Sequence, residues 1–73
     1  MDNEFEFLMS FNDGENISKF WLIEKFGENA IVEMRQKGYI EKTAKKTQFN
    51  EPCYRITALG IKERDRKNNK ELM

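Results

Sequence analysis

The stretch Ser18-Lys19-Phe20-Trp21-Leu22-Ile23-Glu24-Lys25-Phe26-Gly27-Glu28-Asn29-Ala30-Ile31-Val32-Glu33-Met34-Arg35-Gln36-Lys37-Gly38 decides how this 73-residue chain folds. Ser18 is a favourable N-cap, because its hydroxyl can accept an N–H of the first helical turn. Leu22 and Phe26 then stand four residues apart on one face of a two-turn helix, and Gly27 supplies a left-handed stop. A second helix begins at once with Glu28, whose carboxylate suits the positive end of a helix. Its Ile31 and Met34 are spaced for burial, and it stops at Gly38. Two short helices joined at a single glycine lack the connecting chain needed to lie antiparallel, so they are expected to cross steeply.

Outward from this pair, Glu4-Phe5-Glu6-Phe7-Leu8-Met9-Ser10-Phe11 fits a short helix better than a strand, since Leu8, Met9 and Phe11 break the alternation set up by Phe5 and Phe7. The turn-forming cluster Asn12-Asp13-Gly14-Glu15-Asn16 ends it, and Ile17 returns the chain to the core. On the other side, residues 39–43 read as a strand, 44–52 as a polar loop and 53–56 as a returning strand with Tyr54 and Ile56 on one face. The pair is a single two-stranded hairpin with a long basic tip. Thr57 caps a last helix over residues 58 to about 68, nearly all charged after Ile61. The sequence therefore predicts an α+β fold, mainly α, with three or four helices. A domain spans residues 1–67, and residues 68–73 form a loose tail.

A chain this short holds one domain, with no room for a deep cleft. Nine aromatics within a 38% hydrophobic fraction still argue for a packed core. The longest apolar run, Phe20-Trp21-Leu22-Ile23, is far below the roughly 20 residues that span a bilayer, and the acidic start does not suit a signal peptide. A lone cysteine, Cys53, excludes an internal disulfide, and the absence of histidine leaves no Cys/His metal set. A reducing cytoplasm is the expected location. No cofactor is expected. Catalysis is not expected either, because Cys53 has no histidine base and no Gly-rich phosphate loop is present.

The net charge is zero but unevenly spread. Residues 1–33 carry two bases against eight acids, a net of −6, and residues 34–73 carry eleven bases against five acids, a net of +6. The asymmetry points either to an anionic partner for the basic half or to attraction between the halves.

The order of short helix, steeply crossed helix pair, hairpin and trailing helix resembles the winged helix-turn-helix family of bacterial and phage regulators, and two motifs carry the likeness. A core aliphatic, three polar residues and Gly-Tyr/Leu-Ile is matched by Met34-Arg35-Gln36-Lys37-Gly38-Tyr39-Ile40. The family's closing Tyr-x-Ile/Leu-Thr-x-x-Gly is matched by Tyr54-Arg55-Ile56-Thr57-Ala58-Leu59-Gly60. The resemblance covers residues 5–66 and identifies no particular member. It implies a small transcriptional regulator that binds double-stranded DNA; some members instead use the fold to bind proteins, so a protein-interaction module without DNA binding is the alternative.

Carried over, the resemblance makes residues 28–37 a recognition helix in the major groove, its solvent face formed by Glu28, Asn29, Val32, Glu33, Gln36 and Lys37. Asn29 and Gln36 have amides suited to adenine, Glu33 can accept from cytosine, Lys37 can reach guanine or a phosphate, and Arg35 lies to the side. Glu28 and Glu33 depart from the usual pattern, because a carboxylate facing DNA repels phosphate. Lys42, Lys45 and Lys46 lie where a wing runs beside the minor groove, although edge lysines also block strand-to-strand aggregation. Ser18 and Lys19 could hold one phosphate at the start of the first helix of the pair. Phe49 is expected as a plug over the hairpin. Four consecutive apolar residues at 20–23 cover every side of a helix, so Trp21 is expected to point outward. With Phe5 and Phe7 it would form the interface of a possible homodimer, unless it packs under the first helix.

Overall fold

A computed structural model describes residues 3–71 as a small α+β domain, mainly helical, with four helices and a three-stranded antiparallel sheet. The elements run α1 (Asn3–Met9), β1 (Ile17–Ser18), α2 (Lys19–Phe26), α3 (Glu28–Gln36), β2 (Ile40–Lys46), β3 (Pro52–Ile56) and α4 (Ala58–Glu71). The strands lie in the order β1-β3-β2.

The sheet has one strand more than the hairpin expected from the sequence. Ile17 does return to the core, but it does so as a strand: Ile17 pairs with Tyr54 and Ser18 with Cys53. The hairpin also differs in its proportions. β2 runs on through Ala44, Lys45 and Lys46, which were expected in the loop, and the loop shrinks to residues 47–51. Cross-strand pairing holds these exposed polar residues in a strand that their own pattern does not announce.

Nine residues from five elements form the core: Phe7, Leu8 and Phe11 of and after α1, Leu22 of α2, Ile31 and Met34 of α3, and Ile40, Tyr54 and Ile56 of the sheet. Each large side chain taken fully out of water contributes about 1.5–3 kcal/mol. Phe7, expected at an interface, is 1% exposed and lies between Phe11 and Phe26, with ring centroids 5.6 and 5.0 Å away. A seven-residue helix has one inward face, and Phe7, Leu8 and the following Phe11 fill it.

The joint between α2 and α3 is Gly27 alone. It sits at φ 88°, ψ 158°, an extended mirror region rather than the expected left-handed helical one, while its N–H still closes the last turn of α2 on the Ile23 carbonyl. Side chains with a Cβ essentially do not populate this region. A second glycine serves by its size. A Cβ on Gly60 would meet the Tyr39 carbonyl oxygen at 2.1 Å and Ile56 Cγ1 at 2.7 Å. Thr57 secures the same corner: its N–H donates to Tyr39 O, its hydroxyl donates to Gly38 O at 2.6 Å, and its Oγ1 accepts the Gly60 N–H at 3.0 Å. The Thr-x-x-Gly spacing is thus a helix cap plus a backbone-to-backbone contact.

Helix α4 extends past residue 68 to Glu71, so part of the expected loose tail is helical; residues 72 and 73 lie outside the described residues. The helix has few apolar residues to bury and docks by charge instead. Arg64 donates to the Phe11 carbonyl at 2.9 Å and to Asp13 at 2.8 Å, and Lys67 lies 3.7 Å from Glu4. Among the described residues no helix is long and apolar enough to cross a membrane, and no group of three His, Cys, Asp or Glu is placed to hold a metal.

Candidate nucleic-acid interface

The charged side chains of the basic half divide into two sets. Lys37 donates to Glu4 at 2.6 Å and lies 3.2 Å from Glu33. Arg55 pairs with Glu41, Arg64 with Asp13 and Asp65, Arg66 with Glu63, and Lys67 with Glu4. Four of these contacts, Lys37–Glu4, Lys37–Glu33, Arg64–Asp13 and Lys67–Glu4, join the acidic half to the basic half, so attraction between the halves accounts for part of the asymmetry. It does not account for the hairpin. Lys42, Lys45 and Lys46 are exposed and meet no carboxylate among the described residues, which elsewhere in this half holds for Arg35 and Lys62.

The hairpin's geometry keeps these lysines forward. Lys42 pairs with Tyr54 and Lys46 with Pro52, so β2 advances four residues while β3 advances two, and the ladder is irregular between them. Such a bulge bends the strand and increases its twist. Both registered lysines lie on the Tyr54 side of the sheet, because Pro52 and Tyr54 are two residues apart on one strand. The tip is a short loop fixed by hydrogen bonds. Thr47 N–H donates to Glu51 O, Asn50 N–H donates to Thr47 O, and Thr47 Oγ1 accepts the N–H groups of Phe49 and Glu51, both at 3.2 Å. Asn50, at φ 64°, completes the turn with the residue type that best tolerates left-handed geometry after glycine. Phe49 is 78% exposed, so it does not plug the hairpin as expected.

Helix α3 buries Ile31 and Met34 and exposes Glu28, Asn29, Val32, Glu33, Gln36 and Lys37, the face expected from the sequence. Contacts on its two flanks orient that face. Lys37 reaches Glu4 of α1 on one flank, while on the other the Arg35 guanidinium lies 5.5 Å from the Tyr54 ring centroid. At roughly 100° per residue, Asn29 and Gln36 occupy the crest between these flanks. Glu33 falls on the α1 side and Val32 on the sheet side. The crest amides of Asn29 and Gln36 meet no partner among the described residues. Of the two acids of the helix, Glu33 turns toward α1, where a groove of about 730 Å³ is lined by Glu4, Glu6, Lys25 and Glu33 among others, while Glu28 falls on the Arg35 flank.

Arg35 and Lys42 consequently neighbour one residue, Tyr54. Arg35 covers the face of Tyr54 and Lys42 stands across the strand from it, which makes the sheet side of α3 continuous with the lysine side of the hairpin. Arg35 was expected at the side of the helix, but not as its link to the hairpin. Only the Tyr54 contact, made 19 positions away in sequence, gives it that role.

The remaining candidates divide. The Ser18 hydroxyl accepts the Trp21 N–H at 3.1 Å and so acts as the helix cap. Ser18 nevertheless lines a groove of about 490 Å³ with Phe20, Thr47, Gln48, Phe49 and Glu51, which brings the start of α2 against the hairpin tip. Lys19, next in sequence, is half-buried. Lys37 and Glu33, expected to read bases, are engaged with each other and with α1. Trp21 is 41% exposed and packs on its own helix, edge-on to Phe26 at 6.4 Å and with Lys25 Nζ 5.8 Å from its ring. Phe5 is half-buried, and Phe20, at 60%, is more exposed than Trp21.

No family model matches the chain, and comparison with curated proteins and with solved structures gives no match.

Proposed function

We propose that this chain is a small winged-helix DNA-binding protein of the cytoplasm, acting as a transcriptional regulator, with α3 in the major groove and the hairpin as its wing. The observation that carries this reading is the distribution of neutralised charge. Lys37, Arg55, Arg64, Arg66 and Lys67 are occupied by carboxylates, whereas Lys42, Lys45 and Lys46 are held together on one ribbon without any. Leaving three ammonium groups uncompensated within five residues of one strand costs electrostatic self-repulsion, and a phosphate backbone removes that cost. The element order also supports the reading, since a short strand before the helix pair that joins the hairpin's returning strand makes a winged sheet.

On this reading Asn29 and Gln36 read base edges from the crest of α3, Arg35 and Lys42 hold the backbone between helix and wing, and Lys45 and Lys46 follow the phosphates beyond. Two copies meeting through the exposed Trp21 side of α2 would add two half-sites, and a halved mass of Trp21→Ser in light scattering tests that arrangement.

The test of the function is a salt titration of binding to mixed-sequence duplex DNA. Log affinity is expected to fall linearly with log salt, and Lys45→Gln with Lys46→Gln is expected to reduce the slope by about 1.8. Absence of binding at about 50 mM salt would leave the protein-interaction alternative, which the exposed Phe20 and Phe49 favour.

A further inference from the structure

Resting on the DNA-binding reading, we propose that Phe49 is a wedge that inserts between adjacent base pairs of duplex DNA from the minor groove. Phe49 has the largest exposure, 78%, among the exposed large hydrophobic residues. A phenyl ring in water is disfavoured, and a flexible loop would fold it back onto the nearby apolar surface of Phe20. This loop does not do so. Thr47 accepts two N–H groups within the tip and is bridged by two further backbone bonds, to Glu51 and Asn50, while Asn50 takes the left-handed conformation that closes the turn. The ring stands in solvent at the tip, on a turn whose backbone these bonds fix.

Charge complementarity identifies the occupant. The strand leading to the tip ends in Lys45 and Lys46, and neither these nor Lys42 meets a carboxylate among the described residues. An apolar ring in front of a row of uncompensated ammonium groups matches an apolar base stack flanked by phosphates. Wedges of this kind partly unstack one base step, and the energy spent is returned by contacts that the bent duplex makes with the protein. Phe20, in the same groove as Phe49, offers a second apolar surface to the sugars beside the opened step. Glu51 lines that groove too, and its carboxylate disfavours a phosphate there.

Two measurements on the full chain test the wedge. In the first, closed circular plasmid is relaxed by a topoisomerase in the presence of the protein and then stripped. A wedge unwinds the duplex, so the wild type lowers the linking number in proportion to the amount bound, and Phe49→Ala, compared at equal occupancy, loses most of that shift. Phe49→Ala also weakens binding roughly tenfold, a typical cost for removing an aromatic that stacks on bases. Its salt slope stays that of the wild type, because the slope counts phosphate contacts. In the second, Phe49→Trp in a Trp21→Phe background places a single tryptophan at the tip, whose emission is quenched and shielded from iodide when mixed-sequence duplex is added.

Unchanged linking number with wild-type binding, or a tip tryptophan that remains open to iodide on DNA, overturns the wedge and leaves the DNA-binding reading in place. Failure of the wild type to bind duplex at low salt removes both. A free-protein mass that falls on Phe49→Ala makes the tip a contact between copies of this chain, which also overturns the wedge.

Discussion

The Arg35 guanidinium sits 5.5 Å from the centroid of the Tyr54 ring, so a side chain of α3 closes over the central strand of the sheet. An exposed cation over an aromatic face contributes about 0.5–1 kcal/mol. Arg35→Ala is expected to lower stability by about that amount in chemical denaturation. It is also expected to reduce the salt slope of DNA binding by about 0.9. Arg35→Lys keeps the charge, and with it most of the slope, but loses the flat stacking surface and part of the stability.

The two glycines that shape the backbone are expected to fail for different reasons. Gly27→Ala meets no atom within 4 Å, so its cost is conformational and amounts to about 1–3 kcal/mol. Gly60→Ala forces a methyl group into the Tyr39 carbonyl and is expected to cost about 3 kcal/mol or more. Because the Gly60 corner has no bearing on the α2–α3 joint, the double variant should show additive losses in urea midpoints.

Lys37 carries its charge to higher pH than an ordinary lysine, chiefly because it donates to Glu4 and then because it donates to Glu33, with burial opposing. A raised pKa in the folded state means that the stabilisation is complete below the unfolded value near about 10.4 and is lost as pH climbs through the higher folded value. The stability difference between wild type and Glu4→Gln is therefore expected to hold steady to about pH 10 and to shrink above it. The groups are partly exposed, so about 1 M salt should shrink it as well.

Glu63 behaves in the opposite sense. The hydrogen bond from Arg66 holds its carboxyl below the usual range, against the effect of burial. The stabilisation is present above about pH 4.3 and is lost as pH falls through the lower folded value. Melting temperatures of Glu63→Gln should consequently decline less than those of wild type on acidification from about pH 5.

Much of the fold could be read from local signals. Gly27 and Gly38 punctuate the helix pair, and Leu22, Ile31 and Met34 are spaced for a shared core and are buried in it. What escaped reading depends on partners far along the chain. Two residues, Ile17 and Ser18, make a strand only because Tyr54 and Cys53 lie beside them. The lysines of β2 show no alternation, since pairing rather than burial keeps them extended. At the site, the exposed crest of α3 and the three hairpin lysines were legible from periodicity and charge. The withdrawal of Lys37 was not, because its partner Glu4 is 33 residues away, and neither was the exposure of Phe49 on a turn that the hydroxyl of Thr47 helps to close.

The one-residue link at Gly27 makes this domain intolerant of length change between its two central helices. Inserting a single amino acid there would swing α3 by roughly a third of a revolution, carrying Asn29 and Gln36 off the crest and Ile31 out of the interior. Evolutionary drift is thereby channelled: the end of α4 can gain or lose codons, while the spacing between Phe26 and Glu28 must stay fixed at one residue.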